Sequence, residues 1–270
     1  MSTIEPKSAL ADPVATPGQT VPSQSPAISP DFDKTVVAYW RGQSEVTEQF
    51  RTLRTNLLAL SPEIPTQIIT VTSASCQEGK STASLNLGVV LAEEGDSKVL
   101  VLDADMRRPS MEKRLGLPNC PGLSDVLRGQ KTIDDVLIQT PVPQLEVMTA
   151  GTRSNNPTKL LLSPACQSLI SELRSRYHHV LIDCPPIISM TDAASLGAKT
   201  DGVLFVIKMG KTSRRVVTRA LSLLESAKVR VLGCALVDMK YYIPNFIYRY
   251  MGTPTYKYYR DYQGNGREQE

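Results

Sequence analysis

The chain has 270 residues, 41% of them hydrophobic, which suits one α/β domain with a sizeable core and a tail. A formal net charge of +3 is too mild to argue for nucleic acid or a membrane surface. Five scattered cysteines (Cys76, Cys120, Cys166, Cys184, Cys234) without a CxxC pair argue against a disulfide frame and fit reduced thiols in a cytoplasmic protein. The opening MSTIEPKSAL shows no secretory signal, and no apolar run approaches the ~20 residues that span a bilayer.

Residues 1–32 are rich in Ser, Pro, Thr and Ala and nearly lack large apolar side chains, so burial there cannot offset ordering entropy. A disordered tail is expected over 1–35. Val46, Phe50, Leu53, Leu57 and Leu60 recur at spacings of three and four and predict a helix over 44–60, ended by Pro62 and Pro65. An alternation follows. Strands are expected at 67–73, 98–103, 179–183, 202–208 and 229–237, with a short one at 145–149. Helices are expected at 79–94, 110–115, 123–128, 133–138, 158–177, 192–198 and 213–227. The strands are short, continuously apolar and rich in Val, Ile and Leu, as in a parallel sheet covered on both faces. The pattern predicts a doubly wound, mostly parallel α/β sheet over 36–239. From 240 to 270 the composition changes. Eight of the ten tyrosines fall between Tyr241 and Tyr262, among Lys240, Arg249, Lys257 and Arg260, with no sustained period. That stretch reads as a mobile tail.

The segment ITVTSASCQEGKST places a loop between a strand and a helix. From Ala74 it reads A-x-x-x-x-G-K-S-T, the Walker A spacing of a P-loop NTPase with Ala in place of the first Gly. Backbone N–H groups at a helix start hold phosphate oxygens, aided by the helix dipole. Gly79 allows close approach, Lys80 neutralises β and γ oxygens, Ser81 ligates Mg2+ and Thr82 reaches the α-phosphate. Glu78 completes the loop. The bland reading is an ordinary βα connection; the flanking strand and helix weigh against it. VLVLDADMR puts Asp103 and Asp105, and VLIDCPP puts Asp183, at the carboxyl ends of strands, where open α/β sheets bind ligands. Each alone reads equally well as a helix cap or a solvated loop acid.

Together these motifs resemble a known family. DADMR matches the Walker A′ pattern D-x-D-x-R, and IDCPP the D-x-P-P form of Walker B. With the tyrosine tail, residues 36–262 resemble the bacterial tyrosine autokinases of capsular and exopolysaccharide synthesis (BY-kinases). Glu48, Arg51 and Arg54 fit that family's E-x-x-R-x-x-R helix of subunit contacts in a ring; spacing alone would suggest pairing on a solvated helix. Gly151, NNPTKLL (155–161) and PPIISMTDA match further family segments.

The resemblance implies phosphoryl transfer from ATP with Mg2+ to tyrosine. Lys80 would stabilise the phosphates, and Ser81, Asp105 and Asp183 would hold Mg2+. Asp103 would accept the tyrosine proton, and Arg107 would stabilise charge or position the acceptor. The substrates would be Tyr241, Tyr242, Tyr248, Tyr250, Tyr256, Tyr258, Tyr259 and Tyr262. Otherwise the tail docks on a partner or folds back. A membrane polysaccharide co-polymerase would recruit and activate the chain at the inner membrane face, and a cognate tyrosine phosphatase would reverse the modification. No nucleic-acid partner is expected.

Two positions depart from the pattern. The family's S-P-G-E is Ser75, Cys76, Gln77, Glu78 here, which alters the stiffness of the loop. The Asn expected at the adenine edge is Asp238, which accepts from adenine N6 but also suits guanine donors. Competing readings are a partition or septum-placement ATPase, which would carry a Lys where Ser75 stands, and a nucleotide-binding regulator without kinase activity. His178 and His179 are adjacent and form no metal site. Tyr39 and Trp40 anchor the tail or belong to the core.

Overall fold

The computed structural model describes residues 31–60 and 67–239. The Ser/Pro-rich stretch before residue 31 and the tyrosine segment 240–270 lie outside the described residues. In chain order the elements are α1 (Val37–Trp40), α2 (Glu45–Ala59), β1 (Gln67–Ser73), α3 (Lys80–Ala92), β2 (Val99–Asp103), α4 (Met111–Arg114), α5 (Leu123–Leu127) and β3 (Leu137–Gln139). They continue with β4 (Leu145–Met148), α6 (Pro157–Leu161), α7 (Pro164–Arg176), β5 (His179–Asp183), α8 (Asp192–Gly197), β6 (Gly202–Lys208), α9 (Arg214–Ser226) and β7 (Val231–Val237).

The seven strands form one sheet in the order β3-β4-β2-β5-β1-β6-β7, parallel except for the antiparallel β3–β4 pair. Successive side chains alternate between faces. Ile68, Leu100, Leu102, Val180, Ile182, Val203 and Phe205 join one buried cluster with Leu169, Leu173 and Leu224 of α7 and α9. Ile69, Val71, Val99, Val101, Leu181 and Leu204 join the other with Leu85, Leu87 and Leu91 of α3. Both faces are covered, as the continuous apolarity of the strands requires. Among the described residues no helix is long and apolar enough to cross a membrane.

Three local expectations fail for identifiable reasons. The helix expected over 133–138 is a single turn followed by β3. Ile133 and Val136 are buried three apart, but Thr132 and Asp135 close the turn on each other's backbone N–H groups, and Leu137–Gln139 then pairs with β4. The helix expected over 158–177 is two helices. Ser163 caps α7 by accepting from the Cys166 N–H at 3.3 Å, and Pro164 at the first helical position has no N–H with which to continue α6. The third is α1, which the sequence reading left out.

Around α1, Phe32 is buried and the Trp40 indole N–H donates to its carbonyl at 2.9 Å, with Trp40 itself half exposed. Trp40 therefore serves as an anchor of the N-terminal segment. Asn86 of α3 completes the attachment by accepting from the Ala38 N–H and donating to the Thr35 carbonyl.

Candidate active site

The phosphate-loop sequence occupies 74–79, between β1 and α3. Gly79 adopts φ 86°, a left-handed conformation that a side chain would strain. It turns the chain into α3, whose first N–H groups have no intrahelical acceptor and face a ligand in a loop of this kind. Lys80 is largely buried at the helix start. Glu78 is fully buried; its carboxylate accepts from the Ala74 N–H at 3.1 Å and from the Thr212 hydroxyl. Ser81 accepts from the Ser110 hydroxyl at 2.8 Å.

The strand order β2-β5-β1 sets the carboxylates beside this loop. Asp103 and Asp183 are register partners at the ends of β2 and β5. Asp103 is fully buried and accepts from the backbone N–H groups of Asp105 (2.9 Å), Ser110 (3.0 Å) and Met111 (3.2 Å), so it ties down the whole loop from 104 to 111. Burial, then the charge of Asp183, pushes its carboxyl well above the usual carboxylate range, against those three donors. Asp183 is also buried and its pKa is raised by burial, opposed by Lys80 and the Ser81 hydroxyl. Its Oδ1 has no hydrogen-bond partner. Asp105 is less buried; burial raises its pKa, opposed by the Arg108 N–H and by Lys80.

A buried carboxylate oxygen without a partner, a hydroxyl on Ser81 and the nearby Asp105 are hard oxygen donors, and they fit a Mg2+ shared with phosphates. Among the described residues no three His, Cys, Asp or Glu side chains form a cage by themselves.

The other singled-out residues divide. Arg107 does not point freely at the phosphate loop: its guanidinium donates to Asp192 Oδ2 (3.2 Å) and Thr158 Oγ1 (2.9 Å), and Thr158 donates to Asp192 Oδ1 (2.6 Å). Three segments noted in the sequence, DADMR, NNPTKLL and TDA, thus meet at one ion pair. Asp238 follows β7 in a left-handed conformation (φ 55°) and pairs with Lys208 at 3.2 Å. Its neighbour Val237 lies beside Gly79, so it sits near the loop. Thr82 lies in the first turn of α3, where its carbonyl accepts from Asn86. Glu48, Arg51 and Arg54 are remote from the loop. Arg51 pairs with Glu48 and Glu93, and Arg54 with Glu94 at 3.1 Å. The eight tyrosines lie outside the described residues. Sequence reading missed Ser110, Thr212, Lys211 and the Asp192–Thr158 pair as neighbours of the site; only Asp192, within TDA, and Thr158, within NNPTKLL, carried any signal.

This fold and loop define a P-loop nucleotide-binding domain, and a family model described as an AAA domain matches residues 66–231. The chain is 36% identical over 222 residues to "Tyrosine-protein kinase YwqD" of Bacillus subtilis (strain 168), covering 82% of this chain and 93% of that one. It superposes on "the kinase domain of Escherichia coli tyrosine kinase ETK" with TM-score 0.71 and 28% identity, covering 77% of this chain and 83% of that one. For the chimerical protein CapA2B2 the TM-score is 0.73 and the identity 32%, covering 79% and 93%. The chain belongs to the bacterial tyrosine-protein kinases. Some relatives are much longer, and it spans only 26% of one and 28% of another.

Proposed function

We propose that the chain is an ATP-dependent tyrosine autokinase whose acceptors are the C-terminal tyrosines from Tyr241 to Tyr262. The observation that carries this is the placement of Asp103, Asp183 and the loop 74–79 on three neighbouring strand ends, with one buried Asp183 oxygen left unpartnered. The tyrosine oxygen bonds to the γ-phosphorus and the bond to the β-phosphate oxygen breaks, so ADP leaves. The tyrosine proton passes to Asp103, whose burial makes it a stronger base than an ordinary carboxylate. Lys80 and the loop N–H groups neutralise and orient the phosphates, which is most of what such a transfer needs. Ser81, Asp105 and Asp183 would hold Mg2+, which neutralises charge on the β and γ oxygens when bound. Arg107, held by Asp192 and Thr158, positions the acceptor rather than contacting phosphate.

In this reading the chain regulates exopolysaccharide or capsule polymerisation and export. It works as a ring at the inner membrane face, recruited by a membrane polysaccharide co-polymerase and reset by a tyrosine phosphatase. Each phosphate adds about −1.5 to −2 charge, enough for several to turn a basic segment acidic. The test is phosphotyrosine mapping by mass after incubation with Mg-ATP and the partner's cytoplasmic segment. Modification confined to residues 241–262 is expected, reduced at least ~100-fold in Lys80→Met and Asp103→Asn. ATP hydrolysis with no phosphotyrosine would overturn the reading and leave a nucleotide-switched regulator.

A further inference from the structure

The phosphate loop is braced from behind by a loop that no motif singles out. Residues 209–213 connect β6 to α9, and two of their side chains reach the loop. Lys211 Nζ donates to the carbonyls of Cys76 (2.9 Å) and Gln77 (3.3 Å). Thr212 donates to the buried Glu78 carboxylate, which itself accepts from the Ala74 N–H. The Lys211 stem is in turn fixed by its own backbone, because the Lys211 and Thr212 N–H groups both donate to the Lys208 carbonyl.

These contacts matter because a peptide unit is planar and trans, so its C=O and the next N–H point in opposite directions. A cation that holds the Cys76 and Gln77 carbonyls therefore turns the Gln77 and Glu78 N–H groups away from itself. Inward N–H groups are what a phosphate-binding loop must present. The brace also meets a local cost. Gln77 sits at φ 58°, a left-handed conformation that strains a residue with a side chain and costs glycine almost nothing. The sequence has neither glycine at 77 nor proline at 76 to hold that shape.

We propose that Lys211 is a positioning residue for nucleotide binding, clamping the Cys76 and Gln77 carbonyls so that a loop built without glycine at 77 keeps its phosphate-binding shape. Thr212 extends the clamp through Glu78. The inference rests on the loop being a nucleotide site, and it stands whether or not phosphate passes on to tyrosine.

The experiment uses the full chain with Lys211→Met, which keeps the apolar stem and removes the donors, alone and combined with Gln77→Gly. Two quantities are read: deuterium uptake of peptides covering residues 74–80 without nucleotide, and affinity for a fluorescent ADP analogue with Mg2+. Uptake reads the clamp even where the analogue fails to bind, so a failure of the nucleotide-site reading is told apart from a failure of this one. Lys211→Met is expected to speed exchange in that peptide and to weaken the analogue about three- to tenfold, as for loss of a charged hydrogen bond at an exposed site. With Gln77→Gly both effects should shrink to less than about twofold. Unchanged exchange would overturn the proposal. So would an equal loss of affinity in both backgrounds, which would make Lys211 a simple charge acting on the phosphates.

Discussion

Asp183 carries a burial cost that the proposed Mg2+ would offset. It is buried at a strand end, next to Asp103 in register, and its Oδ1 has no partner. Folding must desolvate that group, and burial pushes its pKa up in the folded state, opposed by Lys80 and the Ser81 hydroxyl and reinforced by the charge of Asp105. An Asn of the same shape avoids the charge. Asp183→Asn is therefore expected to raise the thermal midpoint at neutral pH by about 2–4 °C, the scale set by ~1 kcal/mol in a domain of this size. The same variant should lose the extra stabilisation that Mg2+ adds to bound nucleotide. A variant that melts below the wild type would show that Asp183 is a structural acceptor and not a site held open for a cation. Asp103 is the contrasting case, because its oxygens hold three backbone N–H groups that Asn would satisfy poorly. Its substitution mixes loss of a base with loosening of the loop from 104 to 111.

At the scale of elements, what was legible in the sequence followed from what each element buries. β1, β5 and β6 fall at the expected residues, because a strand covered on both faces is an unbroken apolar run bounded by polar loops. The P-loop and its carboxylates were legible because their chemistry fixes residue types at fixed spacing. The α6–α7 break and β3 were not, since burial at i and i+3 looks helical until a cap or a cross-strand partner decides otherwise. Lys211 was invisible for a different reason: its partners are backbone carbonyls 134 and 135 residues away, which no local pattern encodes. β5 also carries a testable asymmetry. Its far end starts at His179, whose pKa is pulled down to about 4 by burial and then by His178. In the unfolded chain the group titrates near 6.5. Between those values the unfolded chain holds the extra proton, so stability is complete above about pH 6.5 and falls as the pH drops toward 4. Allowing for partial exposure, the loss is about 1–2 kcal/mol. Urea midpoints at pH 7.5 and 4.5 should differ more for the wild type than for His179→Val. Equal differences would assign the acid sensitivity elsewhere.

For the whole molecule, the geometry raises the question of how one copy meets another. The sheet delivers its loops to one end, and β7 finishes beside Gly79, so the chain leaves the described domain next to the phosphate loop. The expected ring contacts lie elsewhere, on α2, and within one copy they are already engaged. Arg51 pairs with Glu93 at 2.7 Å and with Glu48; Arg54 lies 3.7 Å from Glu93 and 3.1 Å from Glu94 and donates to the Val90 carbonyl. Subunit contacts through these arginines would have to exchange in-chain partners for those of a neighbour. Such an exchange costs little at Arg51, whose solvent-accessible pairs contribute about 0–1 kcal/mol each, and more at Arg54, which is largely buried. The in-chain pairs hold α2 to the end of α3, and in the proposed ring a second copy would replace them. Arg51→Ala with Arg54→Ala should thus shift the melting midpoint by only a few degrees. The sedimentation mass of the Mg-nucleotide-bound chain should nevertheless fall from an oligomer to a monomer. An unchanged mass, with the same small loss of stability, would confine Glu48, Arg51 and Arg54 to pairing α2 with α3 and move the ring contacts to another face.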